Sequence, residues 1–94
     1  MQFEWDPRKA AANLRKHGVA FEDATVVFAD NRARTFPDPD HSDAEQRELI
    51  LGYDAAARLL LISFTERRDT VRLISARRAT PHEARRHEAY LQKS

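Results

Sequence analysis

Ninety-four residues allow one compact core and exclude two independent ones, and the absence of cysteine excludes disulfides and cysteine-ligated metal sites. A formal net charge of +1 gives no whole-chain argument for nucleic acid, yet the charge is polarised. Residues 66–94 carry 8 lysines and arginines against 4 acids, residues 30–48 carry 3 against 6, and 13 of the 16 cations are arginine, whose planar fork suits phosphate or carboxylate.

In chain order, "FEW" at Phe3–Trp5 alternates apolar and polar and predicts a short strand. Asp6 followed by Pro7 is an N-cap acceptor before proline at the first helical position, so a helix is expected from Pro7 to His17. Gly18 can take the left-handed conformation that ends it. Phe21, Ala24, Val27 and Phe28 form one apolar stripe of a second helix, whose N-cap position holds Ala20, a poor cap.

The segment "ADNRARTFPDPDHSDAEQ" has turn formers at both ends and an edge strand expected at Ala33–Phe36. Strands are then expected at Arg47–Tyr53, Leu59–Thr65 and Thr70–Arg78, and the short turns around Asp54 and Arg68-Asp69 imply an antiparallel meander. "TPHE" at Thr80–Glu83 is a capping box opening a last helix to about Leu91. The expected architecture is α+β, an antiparallel sheet with two N-terminal helices packed on it and a C-terminal helix, in a single domain spanning residues 1–94.

No phosphate-binding glycine loop, HExxH or Gly-x-Ser-x-Gly occurs, and two glycines leave little scope for nucleotide-cradling loops. Asp38, Asp40, His41, Asp43 and Glu45 lack regular ligand spacing and read as a solvated acidic loop, so no metal or other cofactor is expected. His17, at a helix end, suits either proton transfer near neutral pH or capping of the last carbonyls. His82 and His87 read as surface residues of the last helix.

The strand "VRLISARR" breaks the pattern of a half-buried strand. Strict alternation puts Val71, Leu73, Ser75 and Arg77 on one face and Arg72, Ile74, Ala76 and Arg78 on the other, so arginine occurs on both. Arginines beside a small hydroxyl can build an anion site, or can pair with the acidic middle segment. Arg72, Ser75 and Arg77 can share one site only if the strand is bulged or ends there.

Together, "FEWDPRKAAANLRKHGVAFEDATVVFAD", "HSDAEQR" and "RLISARRATPHEARRHEAY" resemble the BrnT family of type II toxins over almost the whole chain. The ordered set WDP, N-x-x-KHGV-x-F, E-x-R and R-x-ISAR-x-A carries the resemblance, with Ala20 departing where relatives commonly have serine. It implies a RelE-like fold and a cytoplasmic endoribonuclease, metal-independent, that inhibits translation. It also implies neutralisation by a BrnA-like antitoxin through which operator DNA is bound; no membrane association is expected, because no segment approaches the roughly 20 apolar residues that span a bilayer. The motif match singles out Lys16, His17, Glu45, Arg47, Arg72, Ser75 and Arg77, and makes Trp5 and Phe21 core residues. Cleavage of RNA without metal needs a base for the 2′-hydroxyl, cations for the phosphorane and an acid for the leaving 5′-oxygen. His17 is assigned as acid/base, Arg47, Arg72 and Arg77 as phosphate ligands, Ser75 as an orienting hydroxyl, and Glu45 as a positioning group or second acid/base. Lys16, Arg67, Arg68, Arg85 and Arg86 are assigned to the RNA backbone or the antitoxin. The competing reading is a non-catalytic module whose arginines grip an acidic protein or nucleic acid.

Overall fold

The computed structural model describes residues 1–40 and 46–93. Five strands, β1 (Gln2–Glu4), β2 (Arg34–Pro37), β3 (Glu48–Tyr53), β4 (Leu59–Arg67) and β5 (Thr70–Arg78), form one sheet in the order β1-β5-β4-β3-β2. Strands β2 to β5 are antiparallel neighbours, as the short turns require, whereas β1 lies parallel to β5. Helix α1 (Pro7–His17) starts at the Asp6 side chain, which accepts the Arg8 N–H, and ends at Gly18 with φ 70°. That is the left-handed stop its sequence predicted.

The second helix is shorter than its apolar stripe suggests. It comprises α2 (Phe21–Thr25) followed by a 3-10 helix (Val26–Ala29). Ala20 gives no side-chain cap, and the β-branched run Thr25-Val26-Val27 resists α-helical continuation through its restricted side-chain torsions.

These N-terminal helices cover one face of the sheet. Val19, Phe21, Ala24 and Val27 pack there against Ile50, Leu60, Ile62, Phe64, Val71, Leu73 and Ala76, all buried. Phe28 joins this core by edge-on contacts with Phe3 and Phe64, and Trp5 by one with Phe21. Trp5 and Phe21 are thus core residues. Gly52 faces the same layer because a Cβ there would lie 2.7 Å from Ala33 Cβ and 2.9 Å from Val27 Cγ1.

Helix α3 (Pro81–Gln92) stands over the other face. Its start is a complete capping box, in which Thr80 accepts the Glu83 N–H and Glu83 accepts the Thr80 N–H. The expectation that His87 lies on the surface is wrong: it is 0% exposed. Its ring lies 5.7 Å from that of Tyr53 and stacks 6.0 Å from that of Tyr90. Ala84, His87 and Leu91 recur at i, i+3 and i+7, so His87 occupies the inward stripe of a helix that docks on β3. Arg32 over Tyr53 and Arg34 over Tyr90 extend this stack on either side.

Candidate active site

Cross-strand register decides whether Arg72, Ser75 and Arg77 can cooperate. On β4, Leu61, Ser63 and Thr65 alternate regularly and therefore face one side. Their partners on β5 are Arg77, Ser75 and Arg72, with a shift in register between Ser63 and Phe64 that leaves Ile74 as the extra residue. A β-bulge at Ile74 thus turns Arg72 onto the face that carries Ser75 and Arg77. The same shift keeps Val71, Leu73 and Ala76 together in the core on the opposite face.

Arg47 joins this face. Leu49 pairs with Ser63, and the Asp38 N–H donates to the Arg47 carbonyl at 3.1 Å, which extends the β2-β3 ladder by one step. Arg47 therefore shares the side of Leu49, opposite Thr65 and about 10 Å, two strand spacings, from Arg72. The second row, Phe36, Leu49, Ser63 and Ser75, and the third, Arg34, Leu51, Leu61 and Arg77, continue across four strands.

Arg72 and Arg77 are both held by carboxylates. Arg72 Nη1 donates to Glu4 Oε2 at 2.6 Å, from the residue beside it on β1. Arg77 makes a two-pronged pair with Glu83, at 2.9 and 3.0 Å. The hydrogen bonds from Arg77 hold the Glu83 carboxyl below the usual carboxylate range, burial opposing them, while the bond to Glu83 raises Arg77. Among the described residues, then, the carboxylate partners of these two arginines are Glu4 and Glu83, outside the acidic middle segment. Glu83 both starts a helix and fixes the guanidinium plane of Arg77.

Asn13, the first residue of the N-x-x-KHGV-x-F set, closes the strand edge behind the site. Strand β1 pairs with β5 only as far as Arg72, leaving the edge beyond without a neighbouring strand. Asn13 fills it: its Nδ2 donates to the carbonyls of Val19 (2.9 Å) and Ala76 (2.8 Å), and its Oδ1 accepts the Ala76 N–H (3.0 Å). The side-chain amide imitates a peptide of a missing strand at the residue between Ser75 and Arg77. An asparagine four residues before His17, inside an otherwise well-formed helix, is the sequence signal, since asparagine is a poor interior helix former.

The other predicted residues are spread more widely. His17 is half-buried in the last turn of α1, the layer on the far side of the sheet. The adjoining Gly18 carbonyl accepts from Arg58 Nη1 at 3.4 Å, and Arg58 precedes β4, so this helix end lies toward the Arg77–Arg78 end of β5. Lys16 is exposed beside it. Arg67 and Arg68 are at the exposed β4-β5 turn, where Arg68 has φ 55°, at the far end of β5 from Arg77. Arg85 and Arg86 are exposed on α3. Glu45, and with it His41 and Asp43, lies outside the described residues. Among the described residues no group of three His, Asp or Glu side chains is placed to hold a metal.

A family model for the ribonuclease toxin BrnT of type II toxin-antitoxin systems matches residues 5–83. The chain belongs to the BrnT family. Its structure is similar to the 1.1 Å crystal structure of the Brucella abortus ribonuclease toxin BrnT, with a TM-score of 0.67 and 25% identity, over 85% of this chain and 97% of that one. No curated protein matches it in sequence. Family membership makes it a ribonuclease toxin with an antitoxin partner. The BrnT match includes Arg47, Arg72, Ser75 and Arg77 and stops at Glu83, so α3 beyond its first turn falls outside. No helix among the described residues is long and apolar enough to cross a membrane.

Proposed function

We propose that this BrnT chain is a RelE-like, metal-independent endoribonuclease that cleaves RNA in the cytoplasm, halts translation and is silenced by a BrnA-like antitoxin carrying the operator-binding element. The observation that carries the reading is the bulge at Ile74, which gathers Arg72, Ser75 and Arg77 on the face that Arg47 shares. Three guanidinium groups and a hydroxyl on one surface suit a phosphorane, whose charge grows as the reaction proceeds. In the reaction the RNA 2′-oxygen loses its proton and attacks phosphorus. The bond to the 5′-oxygen breaks, and that oxygen takes up a proton, leaving a 2′,3′-cyclic phosphate and a 5′-hydroxyl.

Arg47, Arg72 and Arg77 stabilise the phosphorane, and Ser75 orients a non-bridging oxygen. His17 exchanges the protons from the edge of the sheet, and Glu45 positions an arginine or serves as the second acid/base. Lys16, Arg67, Arg68, Arg85 and Arg86 bind RNA backbone or antitoxin. Glu4 and Glu83 must yield part of their arginine contacts to the phosphate. That pairing also favours the second reading, a binding module that grips an acidic protein or nucleic acid without cutting it.

The test is expression without antitoxin, with RNA ends mapped in parallel for Arg72→Ala, Arg77→Ala and His17→Ala. The proposal expects growth arrest and cyclic-phosphate ends for the native chain and loss of both in the arginine variants. Intact RNA with the native chain leaves only the binding module. Full cleavage by His17→Ala, with none by Arg77→Ala, removes the histidine from the mechanism and keeps the arginine site.

A further inference from the structure

Beside the arginine row lies a cleft of about 590 Å³ between the sheet and α3, within the range of small-ligand sites. Its floor is apolar: Leu49, Leu51 and Leu61 stand there in register on β3 and β4. Its rim is cationic, with Arg34 and Arg77 at the two ends of one sheet row and Arg86 on α3. Glu83 is the acid that lines it, and its carboxylate is already engaged by Arg77. Phe36 supplies an aromatic wall, in the row that leads through Leu49 and Ser63 to Ser75. Arg34 Nε is buried without a hydrogen-bond partner among the described residues, so an unused donor lies beside the cleft.

We propose that this cleft is a nucleobase subsite, which receives one unpaired base of the RNA next to the phosphate held at Ser75. The inference rests on the ribonuclease reading and adds to it the requirement for a splayed-out base. A flat heteroaromatic ring fits an apolar floor with an aromatic wall, its edge acceptors meet the arginine donors, and its phosphates meet a rim of positive charge. An apolar side chain of a protein partner would gain nothing from that rim without acids beside it. The single-stranded requirement follows directly, because a base stacked and paired in a duplex presents neither face nor edge to the cleft.

The experiment uses the full chain and a single-stranded RNA made uncleavable by 2′-deoxy substitution at the mapped cut. Each nucleotide is replaced in turn by an abasic one, and binding is followed by fluorescence anisotropy. One abasic position next to the cut should weaken binding roughly tenfold, the order of a single lost base stack. The same position should have little effect in Phe36→Ala or, should that variant fold poorly, in Leu61→Gln. If the native chain cleaves RNA yet no abasic position changes its affinity, the base subsite is refuted and the nuclease stands. If the variants lose antitoxin binding with RNA affinity unchanged, the cleft is a protein-docking surface and the proposal falls. A chain that neither binds nor cleaves RNA overturns both readings.

Discussion

Replacing Asn13 by alanine removes three buried hydrogen bonds at once and offers nothing in return but a better helix former. The Ala76 N–H then loses its partner, and an unsatisfied buried donor costs roughly 1–3 kcal/mol. The two carbonyls, of Val19 and Ala76, lose donors at 2.9 and 2.8 Å, at about 1 kcal/mol each. Alanine returns roughly half a kcal/mol of helix propensity. The net loss is about 3 kcal/mol, which for a domain of this size lowers the melting temperature by roughly 10–20 °C. Thermal and urea unfolding measure the total, and amide hydrogen exchange locates it: the Ala76 amide should exchange far faster while the Ile62 amide, in the centre of the sheet, follows global stability. A loss below 1 kcal/mol with the Ala76 amide still protected would show that the strand edge is closed by something other than Asn13.

Glu83→Gln separates two roles, because glutamine still completes the capping box but cannot neutralise Arg77. Stability should fall by less than about 1 kcal/mol, while RNA affinity rises and becomes more salt-dependent; unchanged affinity in a salt titration counts against Glu83 as a competitor for the arginine. Because the folded Glu83 value is lowered from 4.5, its stabilisation is present above that pH and lost as pH falls through the lower folded value, a dependence the glutamine variant should lack. His87 is pushed down from 6.5 by burial and by Arg34 and Arg32, against Asp30. Protonation therefore favours the unfolded chain, and stability should decline below about pH 6.5, by at most about 1.4 kcal/mol per unit; unfolding curves between pH 7.5 and 5 that match those of His87→Phe would refute this. Gly52→Ala drives a methyl group into Ala33 and Val27 and should cost roughly 1–3 kcal/mol by overpacking, whereas a neutral result in denaturant melts would mean that the 3-10 helix shifts freely.

Local signals are legible in the sequence wherever the chemistry is local. Asp6-Pro7, Gly18 and the Thr80–Glu83 box set helix boundaries through short-range hydrogen bonds, and the hairpin turns ordered β3, β4 and β5. Arg72, Ser75 and Arg77 stand out in the pattern of their strand and Arg47 through the family resemblance, yet their grouping rests on an irregularity that residue types do not announce. Ile74 looks like any strand residue, so alternation alone put Arg72 on the wrong side. The parallel pairing of β1 depends on a contact between residues nearly seventy positions apart. Asn13 and His87 are polar side chains buried for reasons that residue type does not carry. One is buried because it replaces a missing strand, the other because a short helix has few apolar residues to place inward.

The bulge has a consequence for how this strand can change. Its two halves are out of phase, and the phase is carried by the backbone at one position rather than by the residues around it. Flattening the bulge with Ile74 kept in regular alternation would rotate everything before it, so that Val71 and Leu73 would leave the core as Arg72 entered it. Each side chain would still be of a type suited to a strand, yet half would point the wrong way. Loss of Ile74 itself should instead keep Arg72, Ser75 and Arg77 on one face, with Val71 and Leu73 in the core.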